Sequence, residues 1–398
     1  MTIPATPFRC LLSLEPLGLL YGSAGRFLSA ENLTGRSGEH FPPDSPALAG
    51  LVAAQLHAEG RGGEVRELLT SGPFWLELDD INRKGEVDPL LRAPLNLLQK
   101  SVGAGENAAG ELGRSPDAAA PPLQLQGNGS RRGKGKKEAD PGRRKRKRSR
   151  RVVAKLQPGE QGWSLPEGDD MPGKPLRGGW IRLSQWEQQQ RLDRIEVCSD
   201  PWKPVPHLHP RLQAEQRCSA GEDALFLEYG IALRPGAALA YLSSHEIREG
   251  RYRFGGEGHL VELRCHQVPE AFSRLLSQPL AGSFALVTPA VWGSRRMSER
   301  EPLDTSRRPA LWPWHHNRAG PLLLTDRPRP WRYRIGGGSS GRSRLSRGRW
   351  AVPAGTCYQL PGGLRLPPWP AWEKSWFPRE GLSLRQFGTA LALPLHLP

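Results

Sequence analysis

The chain has 398 residues, of which 37% are hydrophobic and 24% are charged, and its formal net charge is +16. Its 46 glycines and 39 prolines together exceed a fifth of the residues, which disfavours a long helical bundle and predicts abundant loops. The length suffices for two domains with separate cores, or for one domain with long insertions.

The positive charge is concentrated in one segment. Thirteen Lys and Arg lie in residues 131–151 against two acids, a local net charge of +11 that leaves +5 for all other residues. The remainder is therefore only mildly basic, which suits a polyanionic partner without requiring one.

The cysteines and the N-terminal segment bear on location. Five cysteines are scattered without a CxxC pair, as is typical of a reduced cytoplasmic protein. The apolar run at residues 10–20 is interrupted by Glu15 and Pro16, so we expect neither a signal peptide nor a membrane span.

The first elements form a strand, long loop and helix. Residues 8–14 predict a strand, and a glycine-bearing loop follows at residues 18–38. A helix then begins with Asp44 or Ser45 as its cap and Pro46 in its first turn. Its apolar residues recur at helical spacing: Leu48, Leu51, Val52 and Leu56.

The middle of the chain changes composition. Short apolar runs alternate with turns over residues 72–98. Residues 101–161 are rich in Ala, Gly, Ser and charge, so they cannot bury enough surface to offset their ordering entropy. We expect a disordered low-complexity insertion there, with structure resuming near Pro175 as a strand and a short helix.

The second half of the chain is predicted to form short strands and one helix. Strands are predicted at residues 224–233, 259–265 and 283–291, a helix at 269–276, and a further strand at 350–360. No repeat of fixed period is present.

A glycine-rich stretch at residues 251–263, RYRFGGEGHLVEL, lies between two of these runs. Arg251, Arg253 and His259 can donate to phosphate, and the three glycines leave backbone amides unshielded. Two interpretations stay open: a cradle for an RNA backbone, and a tight turn with a bulge in a sheet.

A possible metal site is formed by Cys198, His207, His209 and Cys218, which have the ligand types that zinc takes. Structural zinc sites usually pair their cysteines at short spacing, and this segment is rich in proline. We therefore predict no metal and no other cofactor, with the histidines on a polar surface.

Residues 336–343, GGGSSGRS, have phosphate-loop spacing, but Arg342 stands where that motif needs lysine. Gly348 follows too soon for the long helix that supplies the phosphate loop with its dipole. A flexible basic loop is the preferred interpretation.

The basic run at residues 143–151, RRKRKRSRR, has three possible roles: a nuclear localisation signal, an RNA-binding arm, or solvated low-complexity sequence. Contact with phosphates is favoured over localisation. Such contact adds affinity without sequence specificity.

Several segments, taken together and in order, resemble a known family. They are residues 14–56, 206–213, 222–236, 251–263, 284–292, 352–360 and 376–395. They are similar to the Cmr-type RAMP subunit that binds the 5′ tag of the guide RNA (crRNA) in type III-B CRISPR effector complexes. The long insertion departs from that family's pattern.

This resemblance implies an α+β fold of two tandem ferredoxin-like (RRM-like) domains with a long disordered basic insertion. The N-terminal domain would span residues 1–100 and 162–265, the insertion 101–161, and the C-terminal domain 266–398. It also implies a noncatalytic subunit, not an enzyme. Its partners would be the crRNA 5′ tag, the large polymerase-like subunit and the neighbouring backbone RAMP subunit, with no membrane contact.

Carried over by position, the family's RNA-facing loop would be Gly255, Gly256, Glu257, Gly258 and His259. Arg251 and Arg253 would contact phosphates beside it, and Phe254 and Tyr252 are possible stacking groups. The N-terminal loop supplies a second set of candidate RNA-binding residues: Arg26, Arg36 and His40.

Two other functions remain open. A RAMP-type endoribonuclease that processes CRISPR repeat RNA would need a histidine near a Tyr or Lys beside the glycine loop, and His259 and Tyr252 keep that open. No HExxH motif is present. The third interpretation is a generic basic RNA-associated protein, which predicts no preferred RNA sequence.

Overall fold

The structure of the protein is a computed structural model. It describes residues 6–21, 41–99, 149–160, 162–169, 176–189, 191–210, 213, 225–292, 322–336, 344–360 and 364–395. Within these residues the fold is mixed α/β, with a large antiparallel sheet and few helices. None of the described helices is long and apolar enough to cross a membrane.

The helices and strands of the first part of the chain are β1 (Cys10–Pro16), α1 (Pro46–Ala58), β2 (Thr70–Glu77), α2 (Leu78–Lys84), β3 (Leu90–Arg92), β4 (Leu97–Gln99), β5 (Ser149–Lys155), β6 (Gln157–Gly159), β7 (Gly162–Ser164), β8 (Trp180–Arg182), α3 (Leu183–Trp186), β9 (Glu196–Cys198), β10 (Trp202–Pro210), β11 (Leu225–Leu233), β12 (Ala237–Ser243), β13 (Gly250–Phe254) and β14 (His259–Gln267).

Those of the second part are α4 (Glu270–Ser277), β15 (Leu280–Ala281), β16 (Ser283–Leu286), β17 (Leu322–Leu324), β18 (Arg329–Trp331), β19 (Arg334–Ile335), β20 (Arg344–Leu345), β21 (Arg349–Ala351), β22 (Cys357–Gln359), β23 (Arg365–Leu366), β24 (Arg379–Glu380), β25 (Leu382–Ser383) and β26 (Ala392–Pro394). Short 3₁₀ turns lie between some of these elements.

Ten strands form the main sheet, in the order β13-β14-β1-β12-β2-β3-β8-β9-β5-β4, and every pairing is antiparallel. Helix α1 covers one face of this sheet. Leu48 and Val52 of the helix belong to the same buried cluster as Leu12, Trp75 and Leu263 of the strands. We call this cluster the α1-side core.

The opposite face of the main sheet is covered by α4 and by a four-stranded sheet of order β17-β22-β16-β26. Leu11 and Phe74 of the main sheet share a buried cluster with Phe272 of α4 and with Phe284 and Tyr358 of the second sheet. Because both faces are covered, successive residues of β1 and β2 are buried and their sequences do not alternate. The two sheets therefore share one core.

The predicted first strand and first helix are confirmed as β1 and α1, and α1 begins at Pro46. The predicted cap is wrong, because no side chain caps this helix. The Ser45 hydroxyl donates to Thr70 Oγ1 at 2.7 Å, and the Asp44 carboxylate pairs with Arg329 of the second part of the chain. Both polar groups bind tertiary partners instead of the helix terminus.

The expectation of a disordered insertion over residues 101–161 needs correction at its C-terminal end. Strand β5 pairs with β4 and β9, and β6 begins the next hairpin with β7. Val152 and Ala154 are buried on β5. Pairing on both sides gives this basic segment the backbone partners and apolar contacts that its composition did not indicate. Residues 100–148 lie outside the described part of the chain.

The predicted domain boundary between residues 265 and 266 falls within strand β14. Strand β14 runs to Gln267, two residues past the predicted end of the first domain, and the predicted helix is present as α4. The predicted strand over 283–291 is shorter, because β16 ends at Leu286.

Candidate nucleic-acid interface

The glycine-rich stretch forms a hairpin at one edge of the main sheet. Strands β13 and β14 pair, residues 255–258 make the turn, and the Gly258 N–H donates to the Gly255 carbonyl at 3.3 Å. Gly255 and Gly258 have φ of +76° and +67°, which side chains disfavour. The tight turn is thus confirmed, but the bulge predicted with it is not present, because the pairing of β13 and β14 is continuous. We call residues 250–267 the glycine hairpin.

Alternation along β13 separates the predicted contact residues. Arg251 and Arg253 are exposed, whereas Phe254 is 1% exposed and belongs to the α1-side core. Tyr252 is half-buried on that same side, and its hydroxyl donates to the Arg248 carbonyl at 2.5 Å. The two arginine side chains can therefore contact a ligand. The Phe254 ring cannot stack on a base without leaving the core.

His259 opens β14 and is held from two sides. Its ring stacks on Tyr21, with centroids 5.4 Å apart and planes 27° apart, and its Nε2 accepts the Tyr21 backbone N–H at 3.3 Å. Burial lowers the pKa of His259, while Glu257, with Oε2 3.7 Å from Nε2, acts in the opposite direction. The imidazole is therefore neutral at pH 7, and it offers one donor, the Nδ1–H.

The second set of candidates, Arg26, Arg36 and His40, lies outside the described residues. The described flanks of that loop are Tyr21, which packs on His259, and Phe41. The Phe41 ring contacts Trp75 at 6.1 Å and Trp202 at 5.2 Å between centroids. Tyr21, near the start of the predicted N-terminal loop, therefore lies beside the glycine hairpin.

The two-stranded ribbon of β10 and β11 also contacts Tyr21, beside the glycine hairpin. Tyr21 Oη and His207 Nδ1 are 3.0 Å apart, and Leu20 pairs with Ile231 through backbone bonds of 2.6 and 2.9 Å. Burial raises the pKa of Tyr21, and the negative charges of Glu228 and Glu257 add to the shift. Tyr21 thus joins the ribbon to the glycine hairpin.

The sequence missed Tyr21 as a site residue, because its two partners are 186 and 238 residues away. Of the four residues of the possible metal site, for which we predicted no metal, Cys218 lies outside the described residues. In the described part of the chain, no three His, Cys, Asp or Glu are grouped so that they could hold a metal ion.

The second part of the chain also reaches this edge. Arg334 lies against the turn: its Nε is 3.4 Å from the position that a Cβ on Gly256 would take. Strand β19 pairs with β20, and both Arg334 and Arg344 are exposed. This short hairpin flanks the predicted basic loop, of which residues 337–343 lie outside the described chain.

The surface around the turn is rich in guanidinium groups. Arg253 Nη1 lies 3.4 Å from the Gly258 carbonyl, so this side chain bends over the turn. The nearby acids are Glu257 and Glu262, the latter opposite Arg251 in the ladder. Guanidinium donors beside an open glycine turn provide good ligands for phosphate oxygens.

The family described as CRISPR-associated protein (Cas_Cmr3) matches residues 19–362 of the chain. Similar solved structures include two cryo-EM structures of the Type III-B Cmr-beta bound to cognate target RNA, the second also with AMPPnP in state 1. Each is 10% identical, with 88% of this chain and 86% of that chain covered, and the TM-scores are 0.38 and 0.36.

No curated protein sequence matches the chain. The family match itself runs from residue 19, at the start of the N-terminal loop, through the whole glycine hairpin, to the end of β22 and beyond. Since it spans well over half of the sequence, the chain belongs to the Cas_Cmr3 family of CRISPR-associated proteins.

Proposed function

We propose that this chain is a noncatalytic RNA-binding subunit of a type III-B CRISPR (Cmr) ribonucleoprotein, in which it binds the 5′ repeat-derived tag of the crRNA. Its protein partners are the large polymerase-like subunit and the neighbouring backbone RAMP subunit. The observation that carries the proposal is the exposed, arginine-flanked glycine turn of a Cas_Cmr3-family chain, at the start of the N-terminal loop.

Charge and geometry suit a single-stranded RNA end. Arg251 and Arg253 supply bidentate donors for phosphates, and the turn presents backbone without large side chains. Such contacts position an RNA strand without reading its full sequence. Target recognition is then left to base pairing by the guide, as in other RNA-guided systems.

The proposed fold of two ferredoxin-like units is supported by strand order. Numbered along the chain, β1, β2, β12 and β14 lie in the order 4-1-3-2, and so do β16, β17, β22 and β26 of the second sheet. The ferredoxin-like arrangement has this order with two crossover helices. Within the described residues only the first crossover, from β1 to β2, contains a helix of more than two turns, α1.

The noncatalytic role is supported by how His259 is bound. An endoribonuclease would use this histidine with a nearby tyrosine, and the ring on it is that of Tyr21, not Tyr252. The Nε2 of His259 accepts a backbone N–H, and the Tyr21 hydroxyl is bonded to His207. These groups hold three segments together, which supports a structural role for them.

Co-expression with the partner subunits of a type III-B complex tests the proposal. The RNA that co-purifies is expected to have a uniform, repeat-derived 5′ end, determined by sequencing. The double variant Arg251→Ala and Arg253→Ala should weaken binding of that RNA and reduce the slope of log affinity against log salt by about 2. The matched control is Arg83→Ala, on the exposed end of α2.

Two results would contradict the proposal. One is co-purified RNA with heterogeneous 5′ ends, which fits a generic basic RNA-associated protein. The other is specific cleavage of repeat RNA by the purified chain that is lost in His259→Ala, which would make it the endoribonuclease.

A further inference from the structure

The three glycines of the turn do not have the same explanation. Gly255 and Gly258 have positive φ, so their backbone conformation favours glycine. Gly256 is not in that region, so a side chain there avoids left-handed strain. What lies beside Gly256 is the side chain of Arg334, with its Nε 3.4 Å from a Cβ position. A larger side chain at 256 would occupy the space through which Arg334 reaches the turn.

Arg334 comes from the second part of the chain, while the turn belongs to the first. Its strand, β19, pairs with β20, which places the exposed Arg344 one residue further along the same short hairpin. Arg334 of one part and Arg253 of the other therefore both lie at the turn. Only Glu257 of the turn itself is acidic.

We propose that the RNA site extends onto the second part of the chain, with Arg334 binding a phosphate of the strand that lies on the glycine turn. The inference rests on the proposed function and names a further binding residue for it. An RNA strand across Gly256 would be contacted from both sides, by β13 and by the hairpin of β19 and β20. A guanidinium beside a glycine backbone provides two N–H donors in a plane, which matches phosphate oxygens.

The effects of substitutions at Gly256 and Arg334 on RNA affinity should be coupled. Gly256→Leu should disturb Arg334 through its side chain alone, because the backbone at 256 tolerates a side chain. In a double-mutant cycle, the combined variant should then lose little more affinity than either single variant. Independent effects would instead add.

The test uses the full chain in its assembled complex and fluorescence anisotropy between 50 and 200 mM salt. The probes are RNA with the 5′ end recovered from the purified complex and oligouridine of equal length. Arg334→Ala is expected to weaken binding of the first probe about threefold to tenfold and to reduce the salt slope by about 1. Arg334→Lys keeps the charge and should keep the slope while losing part of the affinity.

The matched control is Arg365→Ala, an exposed arginine on β23 of the same part of the chain. Equal affinities for Arg334→Ala and Arg365→Ala would overturn the inference. So would a loss confined to assembly with the protein partners, with RNA affinity unchanged. A wild-type chain that does not prefer the recovered end over oligouridine would instead refute the proposed function itself.

Discussion

The histidines of the glycine hairpin are half-buried, and this determines their response to pH. His266 Nε2 lies 2.8 Å from the hydroxyl of Ser13, a residue that is 2% exposed. Burial lowers the pKa of His266 and, as described above, of His259. For His266 the charge of Arg264 adds to the lowering and Glu249 opposes it. Both imidazoles are therefore neutral in the folded protein at pH 7.

The sign of the pH effect on stability follows from these shifts. A histidine with a lowered pKa binds fewer protons in the folded state than in the unfolded chain, whose histidine pKa is about 6.5. The contribution of these histidines to the free energy of unfolding should thus be fully present above the unfolded-state pKa. The free energy of unfolding should therefore fall as the pH decreases from 7.5 to 5.5. Urea unfolding at three pH values measures it, and His266→Gln should flatten the dependence. A stability that rises on acidification would contradict the assignment.

Residue patterns predicted part of the candidate site. The order Arg251, Tyr252, Arg253, Phe254 alternates polar and aromatic groups, and on a strand this alternation alone places the arginines outward and Phe254 inward. The prediction of Phe254 as an RNA-stacking group did not take into account that side chains alternate between the two faces of a strand. Tyr21 and Arg334, in contrast, had no local signal, since strand pairing and packing bring them to the turn.

At the scale of elements, a turn after Phe387 connects the two sheets. The Gly388 carbonyl accepts the hydroxyls of Ser71 on β2, at 3.2 Å, and of Thr288 just beyond β16, at 2.6 Å. Gly388 has φ of +59°, and a Cβ there would lie 2.2 Å from the Ser71 Cβ. The close approach of the two sheets at this point therefore depends on glycine.

Gly388→Ala should destabilise the protein by about 2–4 kcal/mol, the sum of left-handed strain and overpacking. Gly282→Ala is the matched control, because Gly282 also has a positive φ, +73°, but no atom within 4 Å of its Cβ position. The control should cost about 1 kcal/mol. Chemical denaturation of both variants gives the comparison, and equal losses would show that the clash is relieved without cost.

For the whole molecule, the shared core means that neither sheet is complete alone. The face of the main sheet that carries Leu11 and Phe74 is covered by α4 and the second sheet. The full chain should therefore unfold in one cooperative transition, with intrinsic tryptophan fluorescence and far-UV circular dichroism changing together.

A fragment that ends at Gln267 lacks this cover and should expose a continuous apolar surface. It is expected to bind a hydrophobic dye and to aggregate, measured by dye fluorescence and light scattering beside the full chain. A monomeric fragment with its own cooperative unfolding transition would show instead that the first part is an independent domain.

Local signals in the sequence determined much of the secondary structure, since proline, glycine and apolar spacing act within a few neighbours. Examples are the start of α1 at Pro46, the helix α4, and the glycine turn. They also predicted that Arg251 and Arg253 flank that turn.

The tertiary structure alone decided the rest. It incorporated β5 into the main sheet despite a basic composition, and it placed Tyr21 and Arg334 at the turn. The physical reason is that strand pairing and core packing join residues from tens to more than two hundred positions apart, and no local pattern in the sequence records which of these contacts has the lowest free energy.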